Sequence, residues 1–222
     1  MGEAIGPMLA SAVAVALSPL PLIAVLLVLA SPRGRTNGLA FTAGWVLGLA
    51  AVVALVVVAG SALNPVGGAP TWSSWLKLAL GAALLLLAAG QWRSRPRPGH
   101  VTAPPAWLLE IDRLTPARSV GLAVALVGTR PNTLLPAVGG AASIAAAPPG
   151  TGAMALAAAV MVLIGSLGAL VPLAVQLRGA DRSARALGEL RAWTAAHNAA
   201  IMIAVPLVLG ADYLGSALSG LA

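Results

Sequence analysis

The residues best suited to chemistry lie in one short polar interruption of the apolar stretch 120–147, which reads Thr129-Arg130-Pro131-Asn132. An arginine at the centre of a bilayer costs about 2.5 to 3.5 kcal/mol on insertion scales, and a proline inside a helix removes one backbone hydrogen bond. A guanidinium held at such a depth is suited to a carboxylate, phosphate or sulfate. We therefore take Arg130 as a candidate anion-binding residue, with Asn132 and Thr129 as hydrogen-bonding partners.

Arg130 also has a structural alternative. It can pair with a carbonyl or an acid, or extend toward a membrane interface if its helix begins a turn or two away. No acidic residue lies in the middle third of an apolar stretch, because Glu3 and Asp212 both lie toward the ends. An unpaired central positive charge favours an anionic or zwitterionic cargo and disfavours a metal-cation carrier.

A matching break lies near the middle of the apolar stretch 5–30, at Pro19. With a rise of about 1.5 Å per residue, Pro19 and Arg130 each lie roughly 15 to 21 Å from the start of their stretches. A broken helix exposes amides and carbonyls that can hold a polar group in a dry environment. The lone prolines Pro172 and Pro206 are expected to make simple kinks. The breaks add these candidate substrate-binding residues: Ser18, Pro19, Pro21, Pro131 and Pro136.

The composition places these residues in a membrane protein. Of the 222 residues, 59% are hydrophobic and 9% charged, whereas a soluble domain is roughly 25% charged. The net charge of +7 comes from arginines between apolar stretches, so it reflects membrane topology and not nucleic-acid binding. There is no cysteine, and no carboxylate pair or nucleophile with a nearby base lies at membrane depth. We therefore expect no cofactor, no metal site and no enzymatic activity.

Six apolar stretches are long enough to cross a bilayer, which takes about 20 helical residues. The first, third and fifth connections between them carry 11 of the 13 basic residues. The positive-inside rule therefore places these connections in the cytoplasm and both termini outside, in a multi-pass protein of the cytoplasmic (inner) membrane. The stretches are roughly 5–30, 38–60, 75–92, 120–147, 152–177 and 193–218.

Three spans in each half mean that the two halves cross the membrane in opposite directions. The predicted fold is therefore all-α: six transmembrane helices arranged as two inverted three-helix repeats, with proline-broken first and fourth helices. Interrupted helices in corresponding positions of inverted repeats indicate a transporter's binding site. We expect one membrane domain over 1–222, with repeats at about 5–92 and 118–222 and a cytoplasmic linker at about 93–117 that contains an amphipathic helix.

Other polar and small residues have more than one interpretation. His197 and Asn198 lie about one turn inside the cytoplasmic end of the last span. They can relay a proton, or they can hydrogen-bond between helices or face cytoplasmic water. Gly44 and Gly48 form a GxxxG pair, which fits tight packing within the chain and a homodimer equally. Tyr213 is expected at the outer membrane boundary.

Four short motifs carry a resemblance to a known family. The break at 18–21, followed by the basic hairpin 33–35, resembles the first two spans of the lysine exporter (LysE) superfamily. The break at 130–132 and the linker end at 111–116 look more like its GAP or sulfolipid-addressing (peptidoglycolipid-addressing) branch in actinobacteria. The resemblance implies a six-span exporter that moves envelope glycolipids. Leu20 stands where the amino-acid exporters have a glycine, which argues against that cargo.

These features predict an exporter or flippase of an anionic or amphipathic molecule, such as a cell-envelope glycolipid or lipid precursor, that works by alternating access. Its partners are then the lipid bilayer and this cargo. Two alternatives stay open: an exporter of a small polar metabolite such as an amino acid, and a scaffold that assists envelope lipid synthesis without transport. A closed polar cavity would favour the metabolite, and a groove that opens sideways to lipid would favour the lipid.

The predicted orientation can be tested with single cysteines, because the chain has none of its own. In intact cells, we expect Gly67→Cys to react with a membrane-impermeant maleimide and Arg97→Cys to react only after the membrane is opened. Labelling of residue 97 from outside would reverse the orientation.

Overall fold

The computed structural model describes residues 2–63, 71–94, 114–147, 150–178 and 180–221, and every regular element in these ranges is an α-helix. The amphipathic helix predicted in the linker lies outside the described residues. In chain order the described helices are α1 (Gly2–Ala16), α2 (Pro19–Ala30), α3 (Gly34–Ala62), α4 (Thr71–Arg93), α5 (Pro116–Thr129), α6 (Pro131–Ala145), α7 (Thr151–Gly165), α8 (Leu167–Leu177) and α9 (Ala180–Leu221).

Several of these helices are long and apolar enough to span a membrane. Among the described residues, α3, α4 and the part of α9 from Ala196 to Leu221 qualify singly, and the bent pairs α1–α2 and α7–α8 raise the number to five. Large apolar side chains on the outside, such as Leu55 and Leu86, fit a lipid-facing surface. The prediction of an all-helical multi-pass membrane protein is confirmed. The stretch 120–147 is divided into α5 and α6, and the six-span inverted repeat stays a prediction.

Both predicted breaks are present, and proline chemistry explains where they fall. Pro19 begins α2 and Pro131 begins α6, the position where a missing N–H does no harm. The residue before a proline avoids the helical region. Accordingly Ser18 has φ −59° and ψ 117°, and Arg130 has φ −96° and ψ 114°. The other two candidate prolines, Pro21 and Pro136, lie inside α2 and α6 and not at the breaks.

A third break, which the sequence analysis did not predict, lies at Ser166. Here α7 and α8 meet at a bend of 58°. Pro172 lies inside α8, so the bend is on the N-terminal side of the proline, where the ring crowds the preceding turn. Gly168 permits the start of α8 to approach the end of α1 closely, because a Cβ on Gly168 would lie 2.6 Å from the carbonyl oxygen of Ala16.

The core is formed largely by helices from opposite halves of the chain, with α4 packed on α9, α3 on α5 and α1 on α6. Small residues mark these crossings. A Cβ on Gly81 would lie 2.9 Å from the carbonyl oxygen of Gly210, and one on Gly44 would lie 2.9 Å from the Cα of Val120. The GxxxG glycine Gly44 therefore serves packing within the chain, and the homodimer stays a prediction.

Tyr213, which the sequence predicts at the outer membrane boundary, lies inside the bundle, and its depth in the membrane stays a prediction. Its side chain is 0% exposed. Its hydroxyl lies 2.7 Å from Ser11 Oγ, and the carbonyl of Pro136, at 3.4 Å, is a second and weaker acceptor for the same single proton. Ser11 itself donates to the carbonyl of Pro7 at 2.6 Å, which leaves Tyr213 as the donor toward Ser11. The ring thus ties α9 to α1 and α6, and it packs against Gly139.

We expect Gly139→Ala to destabilise the protein, because the added Cβ would overlap the Tyr213 ring and hydroxyl. Overpacking of this kind costs about 1 to 3 kcal/mol. The matched control is Gly128→Ala in α5, where a Cβ would meet nothing within 4 Å. Thermal unfolding of the purified variants in detergent measures the difference, and equal melting temperatures would contradict this packing.

Candidate functional site

The two proline breaks meet in the interior of the bundle. Ser18, between α1 and α2, and Thr133, in the first turn of α6, place their hydroxyl oxygens 3.4 Å apart. Their side chains are 5% and 0% exposed. The contact is longer than an ordinary hydroxyl hydrogen bond of about 2.7 Å, so it is weak. It nevertheless joins points 115 residues apart in the chain and places Ser18 and Pro19 beside the start of α6.

Asn132 adds an unsatisfied polar atom beside this contact. Its Nδ2 donates to the sulfur of Met202 on α9 at 2.7 Å, while its Oδ1 is buried without a partner among the described residues. The amide orientation follows from chemistry, because the nitrogen is the donor and the thioether sulfur is a weak acceptor. Asn132 lines a cavity of about 10 Å³ together with Ser18 and Pro19.

A second cavity of about 10 Å³ lies on the other side of Ser18, next to the third break. Pro21 and Trp45 line it, and the indole nitrogen of Trp45 donates to the carbonyl of Gly165 at 3.4 Å. The Oγ of Ser166 is buried and has no partner in the described part of the chain. Each cavity has room for about one water molecule. Among the described residues, these two spaces next to Ser18 are therefore too small for a cargo.

Arg130, Thr129 and Pro131 lie outside this polar centre. All three are exposed, whereas Thr133, less than one turn later, is buried. Thr129 donates its hydroxyl to the carbonyl of Ala125 at 2.6 Å, so it is engaged within its own helix. The backbone carbonyl of Arg130 accepts hydrogen bonds from the N–H groups of Thr133 and Leu134 at the start of α6. Its side chain is exposed, and no described residue forms a hydrogen bond or ion pair with the guanidinium.

The remaining predicted site residues lie farther from the contact between the breaks. Pro136 is buried, and its carbonyl accepts the weak hydrogen bond from Tyr213. His197 is exposed on α9, where its Nδ1 lies 2.9 Å from the carbonyl of Trp193 and its ring stacks on that indole at 4.8 Å. Asn198 is half-buried. No contact in the described ranges joins His197 to the paired breaks, and the proton relay stays a prediction.

Two apolar grooves open sideways next to the breaks. One, of about 450 Å³, lies between α1 and α9. The other, of about 410 Å³, lies between α4 and α6, and Pro131 and Leu135 contribute the α6 side. Both volumes fall in the range of small-molecule sites, about 300 to 1,000 Å³. Pro131 borders the α4–α6 groove while Asn132 faces the α1 and α9 side, so the first turn of α6 separates the two grooves.

Three residues of the polar centre were missed by the sequence analysis. Thr133 belongs to the interrupted stretch 120–147, but whether its side chain points into the bundle depends on where α6 begins. Ser166 lies beside Gly165 and close to Gly168, a pattern that is typical of helix packing. Met202 is apolar and gives no signal of a hydrogen-bond partner. An isolated hydroxyl residue in an apolar span is the one signal that points to the first two.

Comparison with known proteins identifies one relationship. A family model described as Sap, sulfolipid-1-addressing protein, matches residues 8–219, which include all three helix breaks. No curated protein and no solved structure matches the chain.

The meeting of the two breaks predicts a cross-link between introduced cysteines. In Ser18→Cys/Thr133→Cys, we expect a disulfide on mild oxidation, because the native oxygens are 3.4 Å apart. The chain has no other cysteine, so protection from polyethylene-glycol maleimide after denaturation reports this bond alone. The control pair is Leu17→Cys/Thr133→Cys, since Leu17 is 46% exposed. Equal cross-linking of the two pairs would contradict the contact.

Proposed function

The chain belongs to the family of sulfolipid-1-addressing proteins, and from this premise we propose that it moves an anionic, amphipathic envelope lipid by alternating access. In this proposal the protein is a carrier and not an enzyme. The cargo binds at the surface of the bundle beside the break between α5 and α6, and the paired breaks control its passage.

The α4–α6 groove is the single observation that carries the proposal. It is apolar and opens sideways, as a lipid chain requires, whereas a small polar metabolite needs a polar enclosure. The groove runs along α4 from Ala83 to Gln91, so its inner end lies within one turn of Arg93, the charged end of the helix. A lipid in this groove would keep its chains in apolar surroundings and bring its head group near the charged end of α4.

Arg130 supplies the charge that such a head group requires. It directly precedes Pro131, which lines the groove, and it has no counter-ion among the described residues. A phosphate or sulfate accepts two parallel hydrogen bonds from a guanidinium, and these are stronger than bonds between neutral groups. The lipid's anionic group would therefore lie at Arg130 and its chains along α4 and α6.

Passage of the cargo requires the polar centre to open. The contact between Ser18 and Thr133 is long and involves two neutral hydroxyls, so breaking it costs only about 1 kcal/mol. The main helix contacts join the two halves of the chain, and a rocking movement between these halves would part the breaks. This mechanism assumes the six-span inverted repeat predicted from the sequence.

We expect Arg130→Ala to lower the initial rate of anionic-lipid transfer between leaflets roughly 10- to 100-fold, because it removes a charge-assisted bond worth about 1.5 to 3 kcal/mol. Arg130→Lys keeps the charge without the planar fork and should give an intermediate rate. The assay uses purified protein in liposomes with a fluorescent phosphate- or sulfate-bearing lipid and an impermeant quencher.

The matched control is Arg118→Ala. It removes an exposed arginine near the start of α5, and this arginine does not line the groove. The rate of this variant should equal that of the wild type. An unchanged rate in Arg130→Ala would reject the site. Transport of amino acids in place of the lipid would favour the metabolite exporter, and no transport of either would favour the scaffold.

A further inference from the structure

The α1–α9 groove has a polar end that the proposed function does not use. Its walls are entirely apolar and run from Leu9 to Leu17 on α1 and from Ala204 to Leu209 on α9. The cavity that contains Asn132 is lined by three of the same residues, Ala14, Leu17 and Val205. The cavity therefore continues the groove inward to the polar centre.

The chemistry at this end is specific. The Asn132 nitrogen already donates to Met202, so the atom left without a partner is Oδ1, an acceptor. A buried acceptor without a partner costs about 1 to 3 kcal/mol, which a donor from a ligand would recover. The Ser18 hydroxyl, on the same cavity wall, offers a second polar contact.

Size and charge restrict the ligand further. The cavity of about 10 Å³ admits a group no larger than a water molecule, which fits a hydroxyl and excludes a phosphate, a sulfate or a sugar ring. Neither the groove nor the cavity is lined by a charged side chain. From Leu9 to Leu17 the groove is about 12 Å long, close to the half-thickness of a ~30 Å hydrocarbon core. That length suits one alkyl chain within one leaflet.

We propose that the α1–α9 groove is a second lipid site, which binds a neutral alkyl chain whose hydroxyl donates to Asn132 Oδ1. This site differs from the anionic site at Arg130 in its groove, its polar partner and its ligand charge. The first turn of α6 separates the two sites, with Pro131 toward one and Asn132 toward the other. The site does not depend on transport, so it can be tested by binding alone.

The test uses photo-cross-linking with a diazirine-bearing 16-carbon alcohol and its terminal fluoride, which has the same chain and nearly the same size but no donor. Each probe is added to the purified full chain in nanodiscs, and labelled peptides are quantified by mass spectrometry. We expect labelling within 9–17 and 204–209, with the alcohol favoured about 5- to 10-fold over the fluoride, the effect of one hydrogen bond. Equal labelling by alcohol and fluoride would overturn the proposal.

Two variants separate the polar contact from the groove itself. Asn132→Ala should remove the preference for the alcohol while labelling by the fluoride persists, and a preference that survives this change would reject the role of Asn132. Ala204→Phe should reduce labelling by both probes, because it fills the groove. The control is Asn198→Ala, a half-buried amide on α9, which should keep the preference. Variants are compared only when they elute from a gel-filtration column as the wild type does. If Asn132→Ala does not fold, Asn132→Gln takes its place.

The result is independent of the test at Arg130. Arg130→Ala should abolish most anionic-lipid transfer and leave the alcohol preference unchanged. Loss of the preference in Arg130→Ala would show that the two sites are one, and would overturn the proposal of a second site.

Discussion

A helix broken inside a bilayer frees amide and carbonyl groups that no water can satisfy, and this requirement governs the centre of the protein. Prolines at the start of α2 and α6 reduce the problem, since each removes one N–H at the point where a helix begins. The hydroxyls of Ser18 and Thr133 add polar atoms at the breaks, but in the described residues they contact each other and do not cap the freed backbone groups. The buried oxygens of Asn132 and Ser166 have no hydrogen-bond partner within the described ranges. The breaks therefore concentrate hydrogen-bonding capacity at one depth of an otherwise apolar bundle.

Small residues keep this polar centre closed. Helices in a membrane associate through close packing and not through the hydrophobic effect, so glycine and alanine decide where they approach. Gly168 lets α8 begin against the carbonyl end of α1, and Gly81 meets Gly210 where α4 crosses α9. The two cavities that the described residues form beside Ser18 each have room for about one water molecule. The larger spaces lie at the periphery and face lipid, so the interior is arranged for contact with amphiphiles at its edges.

Local chemistry determines how much of this could be predicted from the sequence. Long apolar stretches indicate membrane helices, and proline acts on its own neighbours, so the helical class and the breaks at Pro19 and Pro131 were predictable. The partner of Ser18, the burial of Tyr213 and the break at Ser166 depend on which helix faces which, and one sequence does not contain that information. The exposure of Arg130 depends on the rotation of the chain at the break, which an average helical rise cannot give.

The packing of one half against the other also concerns how the protein is made. Helices α1 to α4 make their main contacts with α5 to α9, which leave the ribosome later. At about 5 to 20 residues per second, synthesis from the end of α4 at Arg93 to the end of α9 at Leu221 takes roughly 6 to 25 s. The hydroxyl of Ser18 lacks Thr133 for the first part of that interval, and the crossing face of Gly81 lacks Gly210 for most of it. The nascent first half is therefore an intermediate that the insertion machinery or surrounding lipid must shelter until its complement arrives.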